Sequence, residues 1–410
     1  MQKKYGIFSL PVLVGSLGFF VDIYDLLVFN ITRKSSFAAL NIIGDAAKTT
    51  GENILNWQML GLVIGGICWG IMGDKRGRKS VLFGSILLYS LATIANGFVQ
   101  DVTTYTILRF IAGLGLAGEL GASITLTAEI LPKEKRGIAA AIIATSGVMG
   151  TITAYFVHDW SDGNWRLCYF IGGGMGLALL FLRVSIIDST MYSAVKKAEA
   201  KLGSIVMLIN NKERFIRYFR AIIIGLPVWY VIGILISFSD EFARQFNITG
   251  FDQPKALMLQ YVALAFGDMS AGIFSNYIKS RKKTLIIFYC ILTIAILLFF
   301  ATKGGGSAAS MYTFCMLLGF GAGISVLYIT MSAEQFGTNL RATAAISIPN
   351  MVRGFLVPMS IFFRFIRGEN MLNDYITAAW VTGIIVMLAG WLAVYFTKET
   401  FAKELDYVEE

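Results

Sequence analysis

The chain is 410 residues long, 56% hydrophobic and only 15% charged, with a mean hydropathy of +0.66. Soluble domains carry about 25% charged residues, so this composition excludes an ordinary water-soluble fold and points to lipid. The formal net charge of +9 sits largely in short loops beside apolar runs, which makes it a topology signal and a poor argument for nucleic-acid binding.

A transmembrane helix needs about 20 apolar residues. Such spans are expected near 8–31, 54–73, 80–99, 104–130, 137–158 and 166–187, then 218–240, 256–278, 283–302, 309–332, 342–365 and 373–397. The fold class is therefore an all-α integral membrane protein with twelve transmembrane helices in two groups of six. Residues 1–187 form the N-terminal bundle, 188–216 a linker and 217–410 the C-terminal bundle. Lys3 and Lys4 precede an apolar run too long and too acid-containing for a cleavable leader, so that run is read as span 1.

An ionisable residue inside a span costs about 3 kcal/mol on insertion scales, so each is a functional candidate. Span 1 carries Asp22 and Asp25, three residues apart and hence on one helical face. Two such carboxylates in a dry site cannot both ionise cheaply, which suits reversible proton carriage. One of them serving only as a structural cap or pair is the alternative.

Spans 2 and 3 are joined by Gly70-Ile71-Met72-Gly73-Asp74-Lys75-Arg76-Gly77-Arg78-Lys79, a short cation-rich turn between apolar runs. Span 4 contains Arg109, Glu119 and Glu129 at ten-residue spacing, about 15 Å per step along the axis. Glycines between them, at 113, 115, 118 and 121, permit close approach of a neighbour. If that neighbour is span 1, an Arg109–Asp25 ion pair would satisfy both charges, and proton uptake by the aspartate would break it.

The linker mixes Lys196, Lys197, Glu199, Lys201, Lys212, Glu213 and Arg214 with Val206, Met207, Leu208 and Ile209. It reads either as an amphipathic membrane-surface helix or as an ordinary solvated connection. In span 7, Trp229 and Tyr230 follow Pro227 and are candidates to shape a binding cavity. Asp268 in span 8 is deep, and a structural role is favoured for it. Residues 272–283 stand where the 70–79 motif stands in the first half, with Asn276 in place of Asp74 and the second glycine lost. Parallel repeats of this kind mark two-half transporters. Glu334 and Arg341 bound the span 10–11 loop as Glu129 and Arg136 bound the 4–5 loop. Arg353 in span 11 lies between Pro349 and Pro358 and is a candidate fixed cation for an anionic substrate, or a structural arginine.

Lys and Arg concentrate in the 2–3, 4–5 and 8–9 loops, so both termini are expected on the cytoplasmic side of a plasma or bacterial inner membrane. The first outer loop, with Arg33, Lys34 and Lys48, is the exception. Cys68, Cys168, Cys290 and Cys315 lack metal or disulfide spacing, and His158 sits near a span end. No metal, cofactor or catalytic dyad is implied, and an enzyme is not expected.

The turn pattern Gly70-x-x-x-Asp74-x-x-Gly77-Arg78-Lys79 resembles the span 2–3 loop of the major facilitator superfamily. Phe19-Phe20-x-Asp22-x-Tyr24-Asp25-Leu26 is similar to span 1 of phosphate:proton symporters. Gly118-Glu119-Leu120-Gly121 is similar to the metabolite:proton symporters, and departs from the Asp-Tyr-Pro of the phosphate group. Arg109, and Glu129 through Gly137, resemble span 4 and its exit in sugar porters. The resemblance implies a proton-coupling pair at Asp25 and Arg109, with Asp22 and Glu119 as further carriers. It also implies a cytoplasmic gate of Gly70, Asp74, Gly77, Arg78, Glu129, Arg136, Glu334 and Arg341. Substrate contacts are expected at Arg353, Trp229 and Tyr230.

The expected function is proton-coupled symport of a small organic metabolite, with an anion as one option, by a monomer in the bilayer. A proton antiporter that exports is the rival, although Ser146 through Thr151 lacks the proline such exporters carry in span 5. A non-transporting receptor on the same scaffold is the rival of another class.

Overall fold

The computed structural model describes residues 6–43, 45–132, 135–182, 205–368, 374–404 and 406–409. Twelve helices among them are long and apolar enough to cross a membrane. They are Leu10–Ala39, Asn53–Arg76, Arg78–Asn96, Val102–Ile130, Arg136–Trp160, Trp165–Leu182, Lys212–Ile236, Lys255–Tyr277, Arg281–Ala301, Ala308–Glu334, Arg341–Arg367 and Tyr375–Phe396, numbered here as spans 1 to 12. No strand occurs among the described residues. The cationic part of the linker, with Lys196, Lys197, Glu199 and Lys201, lies outside them; Ile205–Ile209 is one short helical turn.

The helix ends follow local chemistry. Asp101, Asn211, Asp252, Ser280 and Asp374 each accept from backbone amides of the first turn that follows, satisfying donors that helix geometry leaves open. Several spans are not continuous rods, which periodicity alone did not show. Span 4 breaks at Ala117–Gly118 into Val102–Leu116 and Glu119–Ile130, and span 10 at Ala322–Gly323 into Ala308–Gly321 and Ile324–Glu334. Span 11 breaks at Phe355, between the two prolines. Span 7 passes Pro227 and loosens into a π-helical turn over Val231–Ile236, as expected where proline removes a ladder donor.

Two seams join the halves: span 2 against span 11, and span 5 against span 8. Near one face they are tight. A Cβ added to Gly70 would lie 2.9 Å from the Thr343 Cα, so only glycine lets span 2 meet span 11 there. Toward the opposite face, spans 2 and 11 part around a cavity of about 240 Å³ lined by Asn53, Asn56, Trp57, Leu60, Val63, Gly354 and Val357. The charged face is shut, and the cavity lies toward the other.

Candidate transport site and gate

The shut face is built from the turn at residues 70–79. Gly77, at φ 96°, reverses the chain in a conformation that disfavours other residues. The reversal aims Asp74 and Arg78 at the other half. Asp74 accepts from the backbone amides of Ala342 (3.0 Å) and Thr343 (2.8 Å) and from the Thr343 hydroxyl (2.6 Å). A carboxylate thus sits on the N-terminus of span 11, where the helix dipole favours negative charge. Arg78 donates to the Gly73 carbonyl (2.7 Å), to Glu129 (2.7 Å) and to the Thr338 carbonyl (3.2 Å). Glu129 also accepts from Arg341 at 3.0 Å. All four charged side chains are buried.

The degenerate second copy keeps the geometry with other residues. Lys279, at φ 52°, occupies the position of Gly77 and bears the strain that a glycine would avoid. Arg281 pairs with Glu334 at 3.3 Å and with Asn276 at 2.8 Å, as Arg78 pairs with Glu129 and Asp74. Arg136 reaches across to the Lys403 carbonyl at 3.5 Å.

The C-terminal segment was not singled out by sequence reasoning, because a short polar tail after the last apolar run reads as solvated. It folds back under this face. Glu399 accepts from the Ser280 hydroxyl and the amides of Arg281 (2.9 Å) and Lys282 (3.2 Å), closing the N-terminus of span 9. Thr400 donates to Glu334 at 2.8 Å. Glu409 binds Arg217 through both carboxylate oxygens, at 3.1 and 3.0 Å, while the Tyr407 carbonyl accepts from the Thr338 amide at 2.8 Å. Burial raises the cost of charge on Glu399, yet these hydrogen bonds, with those from Thr400 and Phe401, outweigh it and hold its carboxyl below the ordinary range.

Deeper, spans 1 and 4 bring Asp25 and Arg109 together. Arg109 approaches the Asp25 carboxylate at 3.2 Å and its carbonyl at 3.2 Å, and Thr93 donates to the same carboxylate at 2.7 Å. The guanidinium lies 4.9 Å from the Tyr169 ring centroid, and Tyr169 shares a 2.6 Å hydrogen bond with Tyr105. Thr93, Tyr105 and Tyr169 were missed; a tyrosine four residues before an intramembrane arginine is the signal that would have found Tyr105. Asp22 is fully buried one turn from Asp25. Glu119 is fully buried at the start of the second segment of span 4, with the Ser123 hydroxyl 3.5 Å away.

Arg353 is 6% exposed, and its one short-range polar contact among the described residues is the Asn350 side-chain oxygen at 3.4 Å. Among the described residues no carboxylate pairs with it. Asn350, also missed, donates to the Ala117 carbonyl of the other half at 2.7 Å, beside the break in span 4. Trp229 is buried. The Tyr230 hydroxyl donates to the Ala379 carbonyl of span 12 at 2.8 Å, within the C-terminal half.

A sequence model described as the Major Facilitator Superfamily matches residues 8–360. The chain belongs to that superfamily. Among relatives of this superfamily member, a Haemophilus influenzae protein provisionally named a metabolite transport protein is 26% identical over 428 residues, covering 99% of this chain and 100% of its own. The niacin transporter NiaP of Acinetobacter baylyi is 24% identical over 96% of this chain and 95% of its own, and the gentisate transporter of Corynebacterium glutamicum is 25% identical over 81% and 75%. Among solved structures, the proton:xylose symporter XylE bound to 6-bromo-6-deoxy-D-glucose superposes with a TM-score of 0.77 at 17% identity, covering 98% of both chains. At that identity the likeness speaks for the fold.

This major facilitator protein is a multi-pass membrane protein and not an enzyme. Among the described residues no group of three or more His, Cys, Asp or Glu is arranged to hold a metal. Cys168 and Cys315 are buried, while Cys68 and Cys290 are exposed on apolar helices.

Proposed function

We propose that the chain is a proton-coupled symporter of small organic acids, working by alternating access between two six-helix bundles, residues 1–187 and 217–410, joined by a linker over 188–216. The observation that carries this reading is the buried Asp25–Arg109 pair. An ion pair sealed from water is costly to break by removing one charge, and protonating Asp25 removes one reversibly. Arg109 would then be free to change partners as the bundles move. Asp22, one turn from Asp25, and Glu119, lower on span 4, are both fully buried and are the further proton carriers.

Arg353 supports an anionic substrate, since a buried guanidinium with no carboxylate partner among the described residues has an unmet demand for one. Trp229 is the apolar contact proposed beside it. The named relatives carry niacin, gentisate and muconate, all compact acids, which fits that demand. The gate of Gly70, Asp74, Gly77, Arg78, Glu129, Arg136, Glu334 and Arg341 is proposed to face the cytoplasm with both termini, in a cell or inner membrane. The loop cations support that orientation. The unit is proposed to be a monomer, with protons and the substrate as its partners.

The test is uptake into proteoliposomes of radiolabelled nicotinate, gentisate, muconate and benzoate under an inwardly directed proton gradient. Accumulation of at least one, abolished by Asp25→Asn while counterflow exchange persists, is expected. Uphill uptake by Asp25→Asn equal to wild type would remove Asp25 from coupling. Acid-driven loss of preloaded substrate would turn the reading toward export.

A further inference from the structure

The two halves repeat one helix crossing closely enough to be compared residue by residue. A Cβ on Gly113 of span 4 would fall 2.2 Å from the Gln58 carbonyl of span 2, and one on Gly319 of span 10 would fall 2.2 Å from the Gln260 carbonyl of span 8. Likewise Gly65 meets the Leu114 carbonyl at 2.3 Å, and Gly267 meets the Phe320 carbonyl at 2.3 Å. The residues that directly follow these span 2 and span 8 glycines are Gly66 and Asp268. Six residues past Gly113 and Gly319 stand Glu119 and Ser325. Each half therefore buries one acid where its broken helix restarts. In the first half the acid rides on the broken helix itself; in the second it comes from the neighbouring span.

Asp268 is 4% exposed and about 14 Å from the gate end of span 8. Its carboxyl oxygens lie 2.6 and 2.8 Å from the Ser325 hydroxyl, and one accepts from the Val326 amide at 3.1 Å. Among the described residues no cation pairs with it. Two opposing demands meet here. Burial without a cation favours the neutral acid, while the Val326 amide and the N-terminal end of Ile324–Glu334 favour the anion. The hydroxyl hydrogen of Ser325 can serve one carboxyl oxygen fully, and a proton on the other would complete the second short contact. A group balanced in this way changes its protonation for a small change in hydration.

Its position supplies that change. Ala265 and Gly272 touch span 5, the first by accepting from Thr145 at 3.3 Å and the second by packing on Ala141. Asp268 lies on the same helical face, within about 60° of Ala265, so it borders the seam between the halves. Tyr328 on span 10 interacts electrostatically with Asp268, and Arg353 on span 11 interacts in turn with Tyr328 and with Tyr261 of span 8. The span 5 residues touching this face, Ala141 and Thr145, carry no charge.

We infer that Asp268 is a second proton-binding site of the transport cycle, located in the C-terminal half and bound to the restart of span 10. Opening the span 5–8 seam hydrates the carboxyl and releases the proton; closing it takes one up. The inference extends the proposed coupling, yet it is tested without substrate, so the two can fail separately.

The test is infrared difference spectroscopy of the full chain in lipid nanodiscs across a pH range, comparing wild type with Asp268→Asn, Ser325→Ala and Asp25→Asn. A carboxylic C=O component that grows on acidification, vanishes in Asp268→Asn and shifts in Ser325→Ala is the expected result. It should survive in Asp25→Asn, which lacks the other carrier. An unchanged spectrum in folded Asp268→Asn overturns the site, and so does a component that does not respond to pH. Should Asp268→Asn fail to fold, Ser325→Ala decides: an acid-dependent band that it leaves unmoved also overturns the inference.

Discussion

Arg341 of the second half lies 3.0 Å from Glu129 of the first, and the same Glu129 oxygen holds Arg78 of the first half at 2.7 Å. One acid thus bridges two buried arginines across the gate, and Asp74 stands 3.3 Å from Arg78 as a further counter-charge. Removing one partner of a buried ion pair costs about 3–5 kcal/mol, because the remaining charge stays uncompensated. Glu129→Gln leaves two guanidiniums facing each other, and opening the gate is the way to rehydrate them. Alkylation of a cysteine at Ser347, fully buried behind the gate on span 11, should therefore be faster in this variant. An unchanged alkylation rate would show that Glu129 does not hold the gate shut.

Gly70 makes the same claim sterically. The atoms a Cβ would meet, the Thr343 Cα at 2.9 Å and carbonyl oxygen at 3.0 Å, are backbone and cannot swing aside. Overpacking of this kind costs about 1–3 kcal/mol, a population shift of roughly five- to a hundred-and-fiftyfold. Gly70→Val should disfavour the closed gate, read as a longer distance between spin labels placed near the gate ends of spans 2 and 11. Gly6, with nothing near its Cβ, is the control position. Identical label distances in Gly70→Val and wild type would dispose of the steric account.

Much of this was legible in the chain because lipid imposes simple rules. Apolar length gave the twelve spans, and the costly charges Asp25, Arg109, Asp74, Arg78 and Glu129 stood out against an apolar background. Of their contacts only Asp74–Arg78 is local, while Asp25–Arg109 and Arg78–Glu129 join different spans. What stayed hidden depends on which helices meet. Asn350, Thr93 and Tyr169 are ordinary polar residues in spans until they reach Ala117, Asp25 and Arg109 from helices distant in sequence. The breaks in spans 4 and 10 leave no hydropathy trace, since glycine is apolar enough to continue the run.

The tail under the gate should loosen in acid. Glu399 has its carboxyl held below the ordinary range in the folded protein by Ser280 and by the amides of span 9 and its own turn. A depressed group contributes stability above its unfolded value, about 4.3 for glutamate. That contribution fades as pH falls toward the depressed value and is gone below it. Hydrogen exchange at the amides of Arg281, Lys282, Thr400 and Phe401 should rise relative to the span interiors in that window. Glu399→Gln should show the raised exchange already at neutral pH. Acid-insensitive protection at these amides would mean the tail is held elsewhere, with the Glu409–Arg217 pair the next suspect.

Arg353 carries the sharpest statement about cargo. Its guanidinium is buried beside Asn350, and among the described residues no carboxylate pairs with it, so its charge is available to a ligand. A hydrogen bond to a charged group contributes about 1.5–3 kcal/mol, which is roughly ten- to a hundred-and-fiftyfold in affinity. Arg353→Gln keeps a shorter, neutral N–H donor while removing the charge, so the fold should tolerate it. Its KM for nicotinate should rise by that factor, whereas binding of nicotinamide, the neutral isostere, should change little. Arg353→Lys should recover part of the loss, because charge is restored but the planar two-pronged contact is not. Equal weakening of the acid and the amide would point instead to a structural arginine that shapes the cavity without reading the carboxylate.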